Sequence, residues 1–73
     1  MEVQRYQDLL GWTDADLIRR AEVTYDTLRK VKSGLPVRRF VAVKVWRAIN
    51  RALQEQGYDP VSLEGLRIAI SGR

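Results

Sequence analysis

The sequence predicts an all-α fold, a small bundle of four to five helices followed by a short C-terminal strand. Three observations predict it. Apolar residues recur at spacings of three and four along most of the chain up to Gly57, the periodicity of amphipathic helices. The gaps between those stretches carry helix-capping residues: Thr13 and Thr24 at starts, Gly11, Gly34 and Gly57 at stops. The chain has 73 residues and 45% of them are hydrophobic, enough for one small core but not for two.

The first segment, "VQRYQDLLG", places Val3, Tyr6, Leu9 and Leu10 on one side and ends at Gly11. The second, "TDADLIRRA", has complete start and stop signals. Thr13 can accept a hydrogen bond from the Asp16 amide, Asp14 and Asp16 suit the positive end of the helix dipole, and Arg19 and Arg20 suit the negative end. Leu17, Ile18 and Ala21 should face inward. Glu22, Val23 and Thr24 then form a turn, with Thr24 as the next N-cap. In "YDTLRKVKS" Leu28 and Val31 make the inward pair, and Gly34 and Pro36 end the helix. This third helix therefore has a thin apolar seam and a broad polar face carrying Tyr25, Asp26, Arg29 and Lys30.

"VRRFVAVKVWRAINRALQEQG" carries a conflict. Its half "FVAVKVW" is β-branched and alternates as a strand would. Val45, Ala48, Ile49, Ala52 and Leu53 nevertheless form a helical stripe, which Val41 extends by one turn. One long helix ending near Gly57 is expected, with Val43 and Trp46 off the main stripe. In the tail, "YDPVSLEGLRIAISGR", Asp59–Pro60 is a helix-start pair, while Leu66, Ile68 and Ile70 alternate. A short helical turn and then a strand is expected.

The charge is unevenly spread. The net charge is +4 and the pI about 10.0. Between Thr27 and Gln54 lie eight basic residues (Arg29, Lys30, Lys32, Arg38, Arg39, Lys44, Arg47, Arg51) and no acidic one. The rest of the chain holds all nine acids and nets −4. A solvated surface normally mixes signs, so one basic side with an anionic partner is expected.

Two short helices joined by a three-residue turn, the second with a basic outer face, make a helix-turn-helix. Residues 11–34, "GWTDADLIRRAEVTYDTLRKVKSG", resemble the phage-repressor or Cro-like (XRE) helix-turn-helix family. Gly11, Thr13, Leu17, Ala21, Val23, Thr24, Leu28, Val31 and Gly34 fill places of that family's pattern with identical or similar residues. "AINRAL" (Ala48–Leu53) is similar to the end of the family's next helix. The resemblance spans roughly residues 3–54. It implies a helix-turn-helix DNA-binding domain over residues 1–57 and a tail, residues 58–73, available for dimerisation.

The resemblance also implies residue roles. The third helix would enter the major groove with Tyr25, Asp26, Arg29 and Lys30 at base edges. Thr13, Thr24, Lys32, Arg38 and Arg39 would meet phosphates, which set register without reading sequence. Arg38 and Arg39 carry an independent argument. Near the start of the fourth helix, each opposes the macrodipole at about 0.3–1 kcal/mol, a cost that a bound phosphate would reverse. Lys44, Arg47 and Arg51 would add to the field. Double-stranded DNA and a second copy of the chain are the expected partners. Leu66, Ile68 and Ile70 are the expected dimer contact, with Trp46 and Val43 as the second candidate. Trp12 falls at a core position of the family, and Trp46 should pack in the core or at a subunit contact, rather than serve as stacking platforms for single strands.

Two departures from the pattern matter. Glu22 stands where the family usually has glycine, so a left-handed turn there would cost about 1 kcal/mol. Asp14 stands where many members have a phosphate-binding glutamine; a carboxylate cannot donate, so it should turn inward or hold the helix off the backbone.

Other function classes fare worse. With no histidine and no cysteine, the commonest general acid–base group, disulfides and thiolate metal sites are excluded. The nearest carboxylate pair, Asp14 and Asp16, points in two directions, and no phosphate-binding glycine loop occurs. No enzyme activity, cofactor or metal is expected, and no second domain for a small-molecule ligand. Without a signal-peptide pattern or an apolar run of spanning length, a cytoplasmic location with no membrane partner is expected. An excisionase-like architectural DNA-binding protein, or a helix-turn-helix module that binds a protein, are the neighbouring readings.

Overall fold

The computed structural model describes residues 2–72. Four helices follow in order: α1 (Glu2–Leu10), α2 (Asp14–Ala21), α3 (Tyr25–Lys32) and α4 (Arg39–Glu55). A single 3₁₀ turn, Glu64–Leu66, lies in the tail. The described residues form no sheet, and no helix among them is long and apolar enough to cross a membrane.

The long fourth helix is the platform. Ala42, Val45, Ile49, Ala52 and Leu53 form its buried stripe, at the three- and four-residue spacing of a core-facing helix. Residues 40–46 are helical although their β-branching favours a strand. Burial at helical spacing outweighs the local preference, which is context-dependent. The inward residue of that half is Ala42, with Val41 only half-buried beside it.

Against this stripe α1 buries Val3 and Leu10 and α2 buries Leu17 and Ala21, while α3 buries Leu28 and Val31 in the same core and lies chiefly beside α2. Leu9, expected inside, lies outside, and the buried position on that face of α1 belongs to Gln7. Helices of eight or nine residues are unstable alone. These three exist because their apolar seams join one core.

All four helices end in a left-handed residue, the first past the last helical residue in α1 and α2 and the second past it in α3 and α4. The amide after it reaches back five residues: Trp12 to Gln7, Val23 to Ile18, Leu35 to Lys30 and Tyr58 to Leu53. Gly11, Gly34 and Gly57 take this position in α1, α3 and α4, but Glu22 takes it in α2, at φ 58°. The conformation expected of a glycine is therefore adopted by a glutamate. The Lys44 ammonium supports it from α4, donating to the Glu22 carbonyl at 3.0 Å. Lys44 is thus a tie between α4 and the helix-turn-helix corner as well as a contributor to the field.

The tail departs from expectation. Asp59–Pro60 starts no helix, and the C-terminal strand reduces to one parallel bridge between Val37 and Ile70. Val37 donates to Ala69 and accepts from Ser71, but a ladder cannot grow from it. The Leu35 amide already caps α3, and Arg39 already begins α4.

Two side chains of α4 clamp the other end of the tail. Asn50 bonds both the amide and the carbonyl of Val61, at 2.8 and 2.9 Å, and the Trp46 indole donates to the same carbonyl at 2.7 Å. Trp46 therefore anchors the tail and packs against the core.

Between the two clamps Leu66 is 0% exposed. This corrects the expectation for the dimer contact: Leu66 is enclosed in its own chain's core and offers nothing to a second copy. Ile68 and Ile70 are half-buried against the same core, leaving only an outer edge. The apolar alternation of the tail serves the bundle it is attached to.

Two measurements follow. Glu22→Gly should raise stability by about 0.5–1 kcal/mol, as relief of the left-handed strain outweighs the added unfolded-state freedom; urea titration would read it. Leu66→Ala should lower stability by about 2–5 kcal/mol through the cavity it leaves, an effect too large for a residue of a detached tail.

Candidate nucleic-acid interface

Once Leu28 and Val31 are buried, the side of α3 away from the core is settled by helical geometry. Tyr25, Asp26, Arg29, Lys30 and Ser33 are all exposed, a continuous face in a helix of about 3.6 residues per turn. Ser33 lies one turn beyond Arg29 on this face. As the last, uncharged residue of its segment, it carried no signal in the sequence beyond that spacing.

The α3 start is built by its cap. The Thr24 hydroxyl accepts from the Thr27 amide at 3.1 Å and donates to the Thr27 hydroxyl at 2.8 Å. Thr24 thus both accepts from and donates to Thr27 within the chain. Arg29 and Asp26 form an ion pair at 2.9 Å, with side chains 70% and 77% exposed. Such an exposed pair is weak and readily exchanged for another partner.

Lys32 is also engaged within the chain. Its ammonium lies 2.7 Å from Asp14 and its side chain is only 22% exposed. Asp14 accepts a second bond, from the buried Gln7 amide at 2.9 Å. The carboxylate found where the family has glutamine thus joins α1, α2 and α3. It turns inward as expected, as a bridge rather than a cap. Lys32 neutralises it instead of projecting towards solvent.

Thr13 completes a capping box with Asp16: its hydroxyl accepts from the Asp16 amide, and its own amide donates to the Asp16 carboxylate. The Thr13 hydroxyl hydrogen keeps its freedom at the exposed start of α2.

The start of α4 has the opposite character. Arg38 is its N-cap residue, with no side-chain cap bond, and the first turn holds no acid. The first amide bonded back to Arg38 is that of Val41, so the Arg39 and Phe40 amides open outward beside two exposed arginines. A hollow of about 360 Å³ joins this corner to α3, lined by Thr27, Lys30, Pro36, Val37, Arg38, Val41 and Ser71. On the other flank Tyr25, Arg29, Lys32 and Ser33 line a second hollow of about 180 Å³ together with Asp14 and Leu28. The fold thus brings Tyr25, Arg29, Lys30 and Arg38 onto one surface. It withdraws Thr24 and Lys32 into intramolecular bonds. Trp12 packs against the core, with the Arg20 guanidinium 5.1 Å from its ring centroid.

Comparison of the chain with protein families, with curated proteins and with solved structures gave no match.

Hydrogen bonds set the electrostatics of the two α2 carboxylates. The Gln7 amide and then the Lys32 ammonium hold the Asp14 carboxyl below its usual value of 3.8, against opposing desolvation. The Thr13 backbone amide does the same for Asp16. A folded pKa below the unfolded one means stability that is fully present above 3.8 and lost as pH falls through the folded value. Asp14→Asn should therefore be less stable than the parent at neutral pH. The gap between their melting temperatures should close as pH falls from about 6 to about 2, as thermal unfolding across that range would reveal.

Proposed function

We propose that this chain is a sequence-specific double-stranded DNA-binding transcriptional regulator of the repressor type, a relative of the XRE helix-turn-helix proteins that acts in the cytoplasm. One observation carries the reading. The apolar seam of α3 is wholly buried while its opposite face presents Tyr25, Asp26, Arg29 and Lys30, flanked by the uncapped, arginine-bearing start of α4.

In this reading α3 enters the major groove. Arg29 exchanges its weak bond to Asp26 for guanine O6 and N7, a contact worth about 1–3 kcal/mol of discrimination. Asp26, released, accepts from a cytosine amine, and Tyr25 covers a thymine methyl. Lys30 and Arg38, which line one hollow, take a base edge and the adjoining phosphate. Arg38, Arg39 and the open amides of α4 bind a phosphate in the manner of helix N-termini, and the Thr13 hydroxyl binds another. Lys32 contributes by cancelling the Asp14 charge that would otherwise repel the backbone. One such unit makes few contacts, so a two-fold dimer reads a two-part operator, its half-sites about 34 Å apart or a multiple of that.

The test is selection from a random duplex pool. The parent protein should enrich a two-part sequence, and Arg29→Ala/Lys30→Ala should lose that enrichment while keeping its melting temperature. Arg38→Ala/Arg39→Ala should weaken binding to all sequences alike and flatten the salt dependence by about two charge equivalents. Retention without enrichment would replace this reading with an architectural one, and no retention would remove it.

A further inference from the structure

We propose that the outer ridge of α4 is a docking surface for an acidic helix, bearing apolar side chains, from a partner protein. Phe40, Val43, Lys44, Arg47 and Arg51 recur at spacings of three and four, so they form one ridge on the side of α4 turned away from its buried stripe. Phe40 is 59% exposed, and Val43 beside it is only half-covered and lies outside the core cluster. An open hollow of about 520 Å³ follows this ridge, lined by Arg39, Phe40, Val43, Lys44 and Arg47 alone. The Lys44 ammonium stands 6.0 Å from the centre of the Phe40 ring. A second hollow, of about 540 Å³, continues past Lys44 and Arg47 to Arg51 and gains Arg20 from α2, with Glu22 the carboxylate among its lining residues.

The surface is therefore an apolar spot inside a basic frame. From Phe40 to Arg51 it runs about 16 Å, at about 1.5 Å per residue, the length of three turns of a partner helix lying alongside.

Three occupants compete, and charge and chemistry separate them. A second copy meeting this ridge through a two-fold axis would place the patch against itself, setting arginine and lysine against arginine and lysine. The phosphate backbone of a duplex would satisfy the cations but leave Phe40 and Val43 without a complementary apolar surface. An acidic helix with an apolar stripe satisfies both: its carboxylates meet Arg39, Arg47 and Arg51, and its apolar side chains cover Phe40 and Val43 in the helix-in-groove manner. Exposed aromatics framed by arginine are the side chains that dominate such contacts. Of the residues proposed to meet DNA, only Arg39 is shared, so the inference does not rest on the reading above.

The test uses the isotope-labelled full chain and a synthetic helical peptide of about 18 residues, close to the length of α4, with a leucine stripe flanked by glutamates. Saturable chemical-shift changes should centre on Phe40, Val43, Arg47 and Arg51, and the same peptide with lysine for glutamate should produce none. Phe40→Ser should weaken peptide binding at least about tenfold. So should Arg47→Glu/Arg51→Glu, which leaves the apolar spot intact and serves where Phe40→Ser alters folding. Absence of saturation, or changes centred on Tyr25–Lys30, would overturn the proposal. So would a drop in solution mass in Phe40→Ser, which would make the ridge a contact between copies. Loss of duplex binding in Phe40→Ser equal to the loss of peptide binding would also overturn it, by making the ridge a nucleic-acid surface.

Discussion

Burial of the α4 stripe is the constraint on which the rest depends. With no disulfide available, three helices of eight or nine residues are held by burying their seams in one core, α1 and α2 directly on the α4 stripe and α3 chiefly beside α2. The two alanines keep the stripe low enough for neighbouring helices to approach. Leu66 then fills the end left open, so the tail is a working part of the core. The outward face of α3 is a consequence of this packing. Leu28 and Val31 must reach the shared core, and helical geometry turns Tyr25, Asp26, Arg29 and Lys30 to the other side.

The polar groups divide according to the same geometry. Of the eight basic residues between Thr27 and Gln54, two are drawn inward: Lys32 to Asp14, and Lys44 to the carbonyl that ends α2. Arg29 is loosely held by Asp26, and the other five have no acidic partner among the described residues. The inward pair locks the relative positions of α1, α2 and α3 and holds the strained corner at Glu22. The outward cations form two fields, one across α3 and the start of α4, the other along the outer ridge of α4. Their neighbours differ in kind. The first is interleaved with hydrogen-bonding groups suited to base edges and phosphates, and the second surrounds exposed Phe40 and Val43, which suit a protein surface.

The two fields suggest how a molecule of this size would combine recognition with control. The surface proposed to meet DNA and the ridge proposed to meet an acidic partner share the α4 helix as a rigid support. A partner seated on the ridge would screen part of the positive charge that draws the protein to a duplex, because the two fields meet at the start of α4, where Arg39 belongs to both. Coupling between the two would then be electrostatic and would require no change of fold.

Most of the fold was legible in the sequence, because its signals are local: the capping box at Thr13, the cap at Thr24, the stop glycines and the three-and-four spacing of the α4 stripe each depend on residues within two turns. The exposed polar face of α3 was legible for the same reason. Four features were not. Asp14 and Lys32 lie 18 positions apart, Lys44 and Glu22 lie 22 apart, the Asn50 side chain clamps backbone groups of Val61, which carry no residue-specific signal, and the alternation of Leu66, Ile68 and Ile70 fits a strand until Val37 proves to be its only bridge partner among the described residues. The sequence by itself determined where helices begin and end, and which side of each is apolar, since these follow from hydrogen bonds and side-chain directions within a few residues. Only the tertiary structure decided which cations remain for a partner and that the tail closes its own core. Those outcomes depend on which distant groups the packing of α4 brings within bonding distance, and no local periodicity encodes that distance.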